Sequence, residues 1–131
     1  MAAAASMRVL LADDHPDIIG MLRLAFQVYG AHEIVGAAGD GEKAVELAIV
    51  HQPDLVVLDL SMPVLNGFEA VPLIRQGAPH ARIAVLSALD DPDSRRRADA
   101  VGVDLYLVKG MVPREMVNRL TELVLAPAGA E

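Results

Sequence analysis

Short apolar segments alternate with longer amphipathic stretches along this chain. Five of the apolar segments are rich in Val, Ile and Leu without polar residues at every second position, which is typical of parallel strands covered on both faces. They span residues 7–12, 32–38, 54–59, 82–87 and 104–109. Because a stretch with helical features follows each one, the pattern predicts one doubly wound α/β domain with a central parallel sheet.

Residues that favour helix ends punctuate the amphipathic stretches. The predicted starts are Pro16, Asp40, the capping box of Asn66 with Glu69, and Asp91 followed by Pro92; the predicted stops are Gly30, Gly77 and Gly102. Pro72 falls inside the third predicted helix and cannot donate a backbone hydrogen bond to Phe68. We therefore expect that helix to be kinked or split.

The last amphipathic stretch, residues 112–125, is predicted to be a surface helix packed on the sheet. Its apolar positions recur at helical spacing and are Val112, Met116, Val117, Leu120, Leu123 and Val124. Residues 7–125 thus form the predicted domain. Residues 1–6 are expected to be a disordered extension, and 126–131 a tail or the start of a linker.

Composition and charge narrow the class of protein. The chain has 131 residues, of which 53% are hydrophobic, enough for one globular domain with a sizeable core. Its net charge of −7 argues against binding of nucleic acid by this chain, because phosphate recognition needs basic surface. It has no cysteine, and neither a signal peptide nor a long apolar span is recognisable. We therefore predict a soluble cytoplasmic protein that does not bind a membrane.

Polar residues end or directly follow four of the five predicted strands. Ligands of open parallel sheets bind beyond the carboxyl ends of the strands, where Asp13, Asp14, Asp59, Ser87 and Lys109 would converge. Clustered carboxylates repel one another unless a cation lies between them, and an all-oxygen site suits Mg²⁺. The metal and Lys109 could together accept a dianionic phosphoryl group. Asp59 is the best-placed carboxylate to attack phosphorus and form an acyl phosphate.

These residues together resemble the receiver domains of two-component response regulators, the CheY-like family. The resemblance covers about residues 7–125 and lies in the acidic pair Asp13–Asp14, the segment DLSMPVLNG that begins at Asp59, the pair Ser87–Ala88, and YLVK with Tyr106 ahead of Lys109. It implies the flavodoxin-like strand order 2-1-3-4-5 with five helices.

The resemblance also implies a role for each site residue. Asp59 would accept a phosphoryl group from a histidine of a sensor kinase. Asp14, Asp59 and the Ser61 backbone carbonyl would bind Mg²⁺ directly, and Asp13 through water. Ser87 and Lys109 would contact the phosphoryl oxygens, while Tyr106 would rotate inward as Ser87 shifts.

The family resemblance further suggests an output. We expect the receiver to be the N-terminal part of a transcription regulator with a DNA-binding domain, and the face of helix 4, strand 5 and helix 5 to form a homodimer. A stand-alone receiver that relays phosphate or binds a protein partner is the alternative. His15 is interpreted as a helix-entry residue rather than a metal ligand, and Arg95, Arg96 and Arg97 as a solvated face.

Other function classes fit the sequence less well. A haloacid-dehalogenase-like phosphatase would carry a second aspartate two residues after its nucleophile, where this chain has Ser61. A flavodoxin-like cofactor binder would need a phosphate-binding loop after the first strand, and the acidic DDHPD segment there would repel phosphate. An interaction module that does not use phosphorylation would lack one of the acids, the hydroxyl or the lysine, and none is missing.

Overall fold

The computed structural model of the protein describes residues 6–30 and 32–125. Five strands and five helices alternate along it: β1 (Arg8–Ala12), α1 (Pro16–Val28), β2 (Glu33–Ala38), α2 (Gly41–His51), β3 (Leu55–Leu58), α3 (Gly67–Gly77), β4 (Arg82–Ser87), α4 (Pro92–Val101), β5 (Leu105–Val108) and α5 (Pro113–Leu125). Nearly all of the predicted N-terminal extension and the whole predicted tail lie outside the described residues.

The strands form one parallel sheet in the order β2-β1-β3-β4-β5. The predicted doubly wound, flavodoxin-like α/β fold is therefore confirmed. Because β2 lies on one side of β1 and β3 on the other, the direction of winding reverses between β1 and β3. In such sheets the crevice beyond the carboxyl ends of these two strands is where ligands bind.

Two apolar clusters cover the two faces of the sheet, since successive strand residues point to opposite sides. Val9 and Leu11 of β1 belong to the cluster beneath α1 and α5. Leu10 and Ala12 belong to the cluster beneath α2 and α3. Burial on both faces explains why the strands lack alternation in the sequence. It also makes the sheet a rigid support for whatever follows the strand ends.

Two predicted strands, the third and the fifth, end one residue earlier than expected. Asp59 and Lys109 lie just beyond β3 and β5 rather than within them. Each is nevertheless attached to the neighbouring strand, because the Asp59 N–H donates to the Ala12 carbonyl at 2.9 Å and the Lys109 N–H donates to the Ser87 carbonyl at 2.8 Å. These hydrogen bonds hold the backbone of each residue in place at the end of its strand.

Three of the four predicted helix starts are confirmed by side-chain caps, and α1 begins at Pro16 as predicted. The Asp40 side chain accepts from the Lys43 N–H, and the Asp91 side chain from the Ser94 N–H. Asn66 and Glu69 form the reciprocal capping box, with distances of 2.9 and 3.0 Å. These caps fix where the chain turns from the carboxyl edge of the sheet into each helix.

Three details of the helices differ from the sequence prediction. Pro72 does not split α3, which runs without interruption from Gly67 to Gly77, and a kink there stays a prediction; the capping box and the buried Val71 and Ile74 hold the turns on both sides of it. α1 ends before Gly30, at a Tyr29 C-cap. Val112 is 62% exposed because it precedes α5 instead of lying on its apolar face.

No helix within the described part of the chain combines the length and the apolar character that crossing a bilayer requires.

Candidate functional site

An acidic pocket lies at the carboxyl edge of the sheet, at the reversal point between β1 and β3. The loop after β1 carries Asp13, Asp14 and His15, and Asp59 directly follows β3. One potential ligand atom from each of these four residues lies within 4.8 Å of the others. Asp13 and Asp59 are buried, while Asp14 and His15 face solvent. The pocket therefore has a buried floor and an open rim.

Lys109 supplies a cation to this pocket from the end of β5. Its Nζ lies 2.9 Å from Asp13 Oδ2 and 3.6 Å from Asp59 Oδ1. The side chain of Lys109 is 19% exposed, whereas those of Asp13 and Asp59 are 3% exposed. The ammonium group is thus a largely buried bridge between the two buried carboxylates, and one positive charge stands against several negative ones.

The negative charge of Asp59 is only partly balanced by its neighbours. Burial raises the pKa of the Asp59 carboxyl above its ordinary value; Asp13 and Asp14 raise it further, while Lys109 and the Ser61 backbone N–H oppose the change. Asp59 Oδ2 is buried and has no hydrogen-bond partner among the described residues. A buried carboxylate oxygen without a partner is costly. The site therefore favours an additional positive group.

The donor set fits a magnesium ion. Several carboxylate oxygens lie within a few ångströms of one another, and one of them lacks a partner. Hard divalent cations prefer oxygen ligands, and Mg²⁺ sites commonly combine one or two carboxylates with waters. The acidic cluster is typical of the magnesium site of receiver domains.

His15 contacts this site in a way that the sequence did not suggest. Its Nδ1 lies 2.9 Å from Asp13 Oδ1 and 3.0 Å from Asp14 Oδ1. The hydrogen bond to Asp13 and the charge of Asp14 raise the pKa of the exposed imidazole. His15 also occupies the N-cap position of α1, without a side-chain capping bond. It is a helix-entry residue, as predicted, and it also lies on the acidic rim, where Asp13 and Asp14 favour the protonated ring.

The loop between β3 and α3 surrounds Asp59. The Gly67 N–H donates to the Leu60 carbonyl at 2.9 Å, and a Cβ atom at position 67 would lie 2.7 Å from the Asp59 carbonyl oxygen. Only glycine fits this close approach. Within the loop Ser61 is exposed, and Val64 has a positive φ of 69° with a 2.7 Å hydrogen bond from the Leu65 N–H to the Pro63 carbonyl.

Ser87 and Tyr106 are linked through the loop between β4 and α4. Buried Ser87 ends β4, and its Oγ accepts from the Leu89 N–H at 3.0 Å. The Tyr106 hydroxyl donates to the Leu89 carbonyl at 2.6 Å. Both residues are therefore held by the same loop residue, and Tyr106 is a partly exposed side chain rather than a core aromatic.

Arg95 contacts Tyr106 and also pairs with Asp90. Its guanidinium lies 4.7 Å from the centre of the Tyr106 ring and forms a 2.8 Å ion pair with Asp90. Arg97 lies 3.9 Å from the centre of the Phe68 ring in α3. The predicted solvated face therefore includes two arginines with specific partners, because cations on one helix meet aromatic rings on neighbouring elements. No spacing within the sequence indicates these contacts.

Comparisons with known proteins agree with this geometry. The model of the response regulator receiver domain family matches residues 9–121. The transcriptional regulatory protein PdtaR of Mycobacterium tuberculosis is 43% identical over 113 residues, which cover 82% of this chain and 51% of that protein. The chain spans about half the length of the curated relatives it matches, from 50% to 58%.

Solved structures show the same fold. A two-component response regulator of the LuxR family from Aurantimonas superimposes with a TM-score of 0.84 at 30% identity, over 92% of this chain and 86% of that one. A chain of the CheX-CheY-BeF3-Mg complex from Borrelia burgdorferi gives 0.83 at 26% identity, over 88% and 87%.

Strand order, the acidic pocket and the matching family model lead to one assignment. The family implies a histidine kinase as partner and a signalling role instead of classical enzymatic turnover. The chain belongs to the response regulator receiver domain family of two-component signalling, whose members are CheY-like phosphoacceptor domains.

Proposed function

We propose that Asp59 is the phosphoacceptor of this receiver and that its phosphorylation by a sensor histidine kinase switches an output. The strongest support is the state of Asp59, which is buried, lacks a partner for Oδ2 and lies 3.6 Å from the Lys109 ammonium. A fixed carboxylate beside a cation suits attack on a phosphoryl group, because oxygen and phosphorus are then aligned with little loss of freedom.

In the proposed reaction, an Asp59 carboxylate oxygen forms a bond to phosphorus while the bond from phosphorus to the donor histidine nitrogen breaks. The electron pair of that bond returns to the imidazole, which leaves as a neutral ring once protonated. The charge on the transferred phosphoryl oxygens is met by Lys109, whose Nζ already contacts Asp13 and Asp59, and by the Ser87 hydroxyl.

Mg²⁺ is the proposed cofactor, and when bound it would offset the negative charge of the carboxylates and the incoming phosphoryl group. Asp14, Asp59 and the Ser61 backbone carbonyl are the proposed direct ligands, with Asp13 acting through a water molecule. The closeness of the carboxylate oxygens supports this assignment.

Phosphorylation is proposed to act on the link between Ser87 and Tyr106. In the unphosphorylated protein the Ser87 hydroxyl accepts a hydrogen bond from the Leu89 N–H at 3.0 Å. A phosphoryl group on Asp59 would draw the hydroxyl away from Leu89. The loop would then move, and the Tyr106 hydroxyl would lose the Leu89 carbonyl, so that its ring could rotate inward. The shared contact with Leu89 supports a coupling between the two residues.

The proposed output is regulation of transcription in the cytoplasm, with this receiver preceding a DNA-binding domain. The transcriptional and LuxR-family relatives support that proposal, and the acidic charge of −7 fits a chain that does not itself bind nucleic acid. A homodimer through α4, β5 and α5 is the proposed signalling form. A stand-alone receiver that relays phosphate is the second candidate, supported by a CheY-containing complex among the similar structures.

Intact-mass spectrometry tests the phosphorylation proposal. The wild-type protein is incubated with acetyl phosphate in Mg²⁺ or in EDTA, alongside Asp59→Asn and Asp14→Ala. We expect one phosphoryl adduct on the wild type in Mg²⁺ alone and none on either variant. On size-exclusion chromatography we expect the phosphorylated wild type to elute earlier, as the proposed homodimer. Lys109→Ala should still be labelled but should not show this change in elution.

Asp99→Asn is the matched control, because Asp99 is an exposed aspartate of α4 away from the acidic pocket. It should be labelled like the wild type. Full labelling of Asp59→Asn would contradict the assignment of the phosphoacceptor, and equal labelling in EDTA would contradict the requirement for a metal.

A further inference from the structure

Lys109 must hold its ammonium group in a narrow position if it is to serve the proposed phosphoacceptor. Its Nζ is 2.9 Å from Asp13 Oδ2 and 3.6 Å from Asp59 Oδ1, and the side chain is largely buried. The residue that follows it, Gly110, has a φ of +105°. L-residues with a side chain rarely adopt this backbone conformation.

Space around Gly110 does not explain the glycine. A Cβ atom at this position would have no heavy atom within 4 Å outside the neighbouring residues. An alanine would therefore fit sterically, and only the backbone conformation excludes it. Glycine is needed here for the direction of the chain.

The structures on both sides of Gly110 are fixed. On one side the Lys109 N–H donates to the Ser87 carbonyl at 2.8 Å. On the other, α5 begins at Pro113, with Met116 and Val117 buried in the core beneath it. A negative φ at position 110 would have to be absorbed by the rest of the segment that joins β5 to α5, from Lys109 to Val112. Within that segment, Lys109 reaches into the acidic pocket.

We propose that Gly110 is a positioning residue whose left-handed backbone conformation directs the Lys109 ammonium to Asp13 and Asp59. The inference rests on the proposed function, because it assigns a purpose to the position of Lys109 in that site. Gly110 touches neither the carboxylates nor the phosphoryl group and acts only through Lys109.

Gly102 provides a matched control. It has a φ of +99°, and a Cβ atom there would likewise meet nothing within 4 Å, but it is the C-cap of α4, away from the pocket. Gly110→Ala and Gly102→Ala should therefore introduce similar backbone strain. Only the change at position 110 should alter Lys109.

Mg²⁺ affinity, measured by titration calorimetry, distinguishes a displaced Lys109 ammonium from backbone strain alone. The Lys109 ammonium competes with Mg²⁺ for Asp13 and Asp59, so Lys109→Met should tighten Mg²⁺ binding by about tenfold. Gly110→Ala should also tighten it, by at least about threefold, since it withdraws the same cation. Gly102→Ala should bind as the wild type does, and Gly110→Ala should add nothing in the Lys109→Met background. General structural damage would weaken binding instead.

A second measurement needs no metal. In urea unfolding without Mg²⁺, Gly110→Ala should reduce the folding equilibrium constant at least about threefold more in the wild type than in Lys109→Met. Gly102→Ala should reduce the folding equilibrium constant by the same factor in the wild type and in Lys109→Met. Gly110→Asn, which tolerates positive φ better than alanine, should lie between Gly110→Ala and the wild type.

Equal effects of Gly110→Ala and Gly102→Ala in both measurements would overturn the inference. Failure of the wild type to bind Mg²⁺ would instead contradict the proposed function. The unfolding comparison would still decide the role of Gly110 in that case.

Discussion

Asp59 combines burial, like charges and an unpartnered oxygen in one residue. Its Oδ2 has no hydrogen-bond partner among the described residues, and only Lys109 and the Ser61 backbone N–H favour its charged form. Such a group costs stability in the metal-free protein, and active sites commonly carry this kind of cost. The same features would make binding of a cation and a phosphoryl group favourable.

The first prediction concerns this cost. Burial raises the pKa of Asp59 in the folded chain, so ionisation favours unfolding, and the loss of stability grows as pH rises from the unfolded to the folded pKa. At pH 7 and without Mg²⁺, Asp59→Asn should therefore be more stable than the wild type by on the order of 1 kcal/mol. Urea unfolding measures this. Mg²⁺ should stabilise the wild type more than the variant, and a less stable variant would contradict the argument.

His32 gives the second prediction. Its Nδ1 accepts from the Met7 N–H at 3.0 Å, and Thr121 Oγ1 lies 3.3 Å from its Nε2 while donating to the Val117 carbonyl. The proton therefore belongs on Nε2, and a second proton on Nδ1 would break the bond to Met7. Burial lowers the pKa of His32, so protonation favours the unfolded chain.

Stability should consequently fall as pH decreases from about 6.5, the ordinary histidine pKa, towards the lower folded value. His32 can contribute at most about 1.4 kcal/mol per pH unit to this slope. His32→Asn should flatten the dependence measured by urea unfolding. Comparison of the two proteins at pH 8 isolates the cost of the altered packing, and an unchanged slope in the variant would contradict the assignment.

Side chains join neighbouring elements at the amino ends of the strands, opposite the acidic pocket. Arg75 near the end of α3 donates to the Ala81 carbonyl at 2.7 Å, the Gly102 carbonyl at 3.0 Å and Asp104 Oδ2 at 2.8 Å. Asp104 in turn accepts from the Ile83 N–H at 2.8 Å. One guanidinium thus connects α3, β4, the end of α4 and the start of β5.

The third prediction tests this connection. Arg75→Ala should lower the free energy of unfolding by about 1–3 kcal/mol, because it removes several hydrogen bonds and leaves carbonyl groups unpaired. Arg75→Lys should not restore it, since an ammonium group cannot reproduce the planar fork. Arg96→Ala is the control: its ion pair with Asp93 is exposed and 3.4 Å long, and its loss should cost under about 0.5 kcal/mol. Equal costs would show that Arg75 is not a special link.

At the scale of the whole molecule, the doubly wound parallel sheet followed from apolar segments without alternation and from helix caps at Asp40, Asn66 and Asp91, whereas the strand order followed from the family resemblance. These signals are local, so the sequence contains them directly. The continuity of α3 through Pro72 was not predictable in this way, because the packing of Val71 and Ile74 against the core outweighs one lost hydrogen bond.

Contacts within the site were only partly predictable. The carboxylates and Lys109 follow strands, and topology places strand ends together whatever the loops do. The contacts of His15 with the acids and of Arg95 with Tyr106 depend on side-chain directions in loops and helices, for which the sequence has no periodic signal. The functional roles of the site residues remain predictions.

The central claim is that the phosphoryl group is carried by the Asp59 carboxyl. Borohydride reduces an acyl phosphate to the alcohol, which converts the aspartate that carried it into homoserine. After incubation with acetyl phosphate and Mg²⁺ followed by borohydride, peptide mass spectrometry should find homoserine at position 59 and at no other aspartate. Homoserine at position 13 or 14, or a phosphoryl group on a serine, threonine or histidine, would contradict the claim.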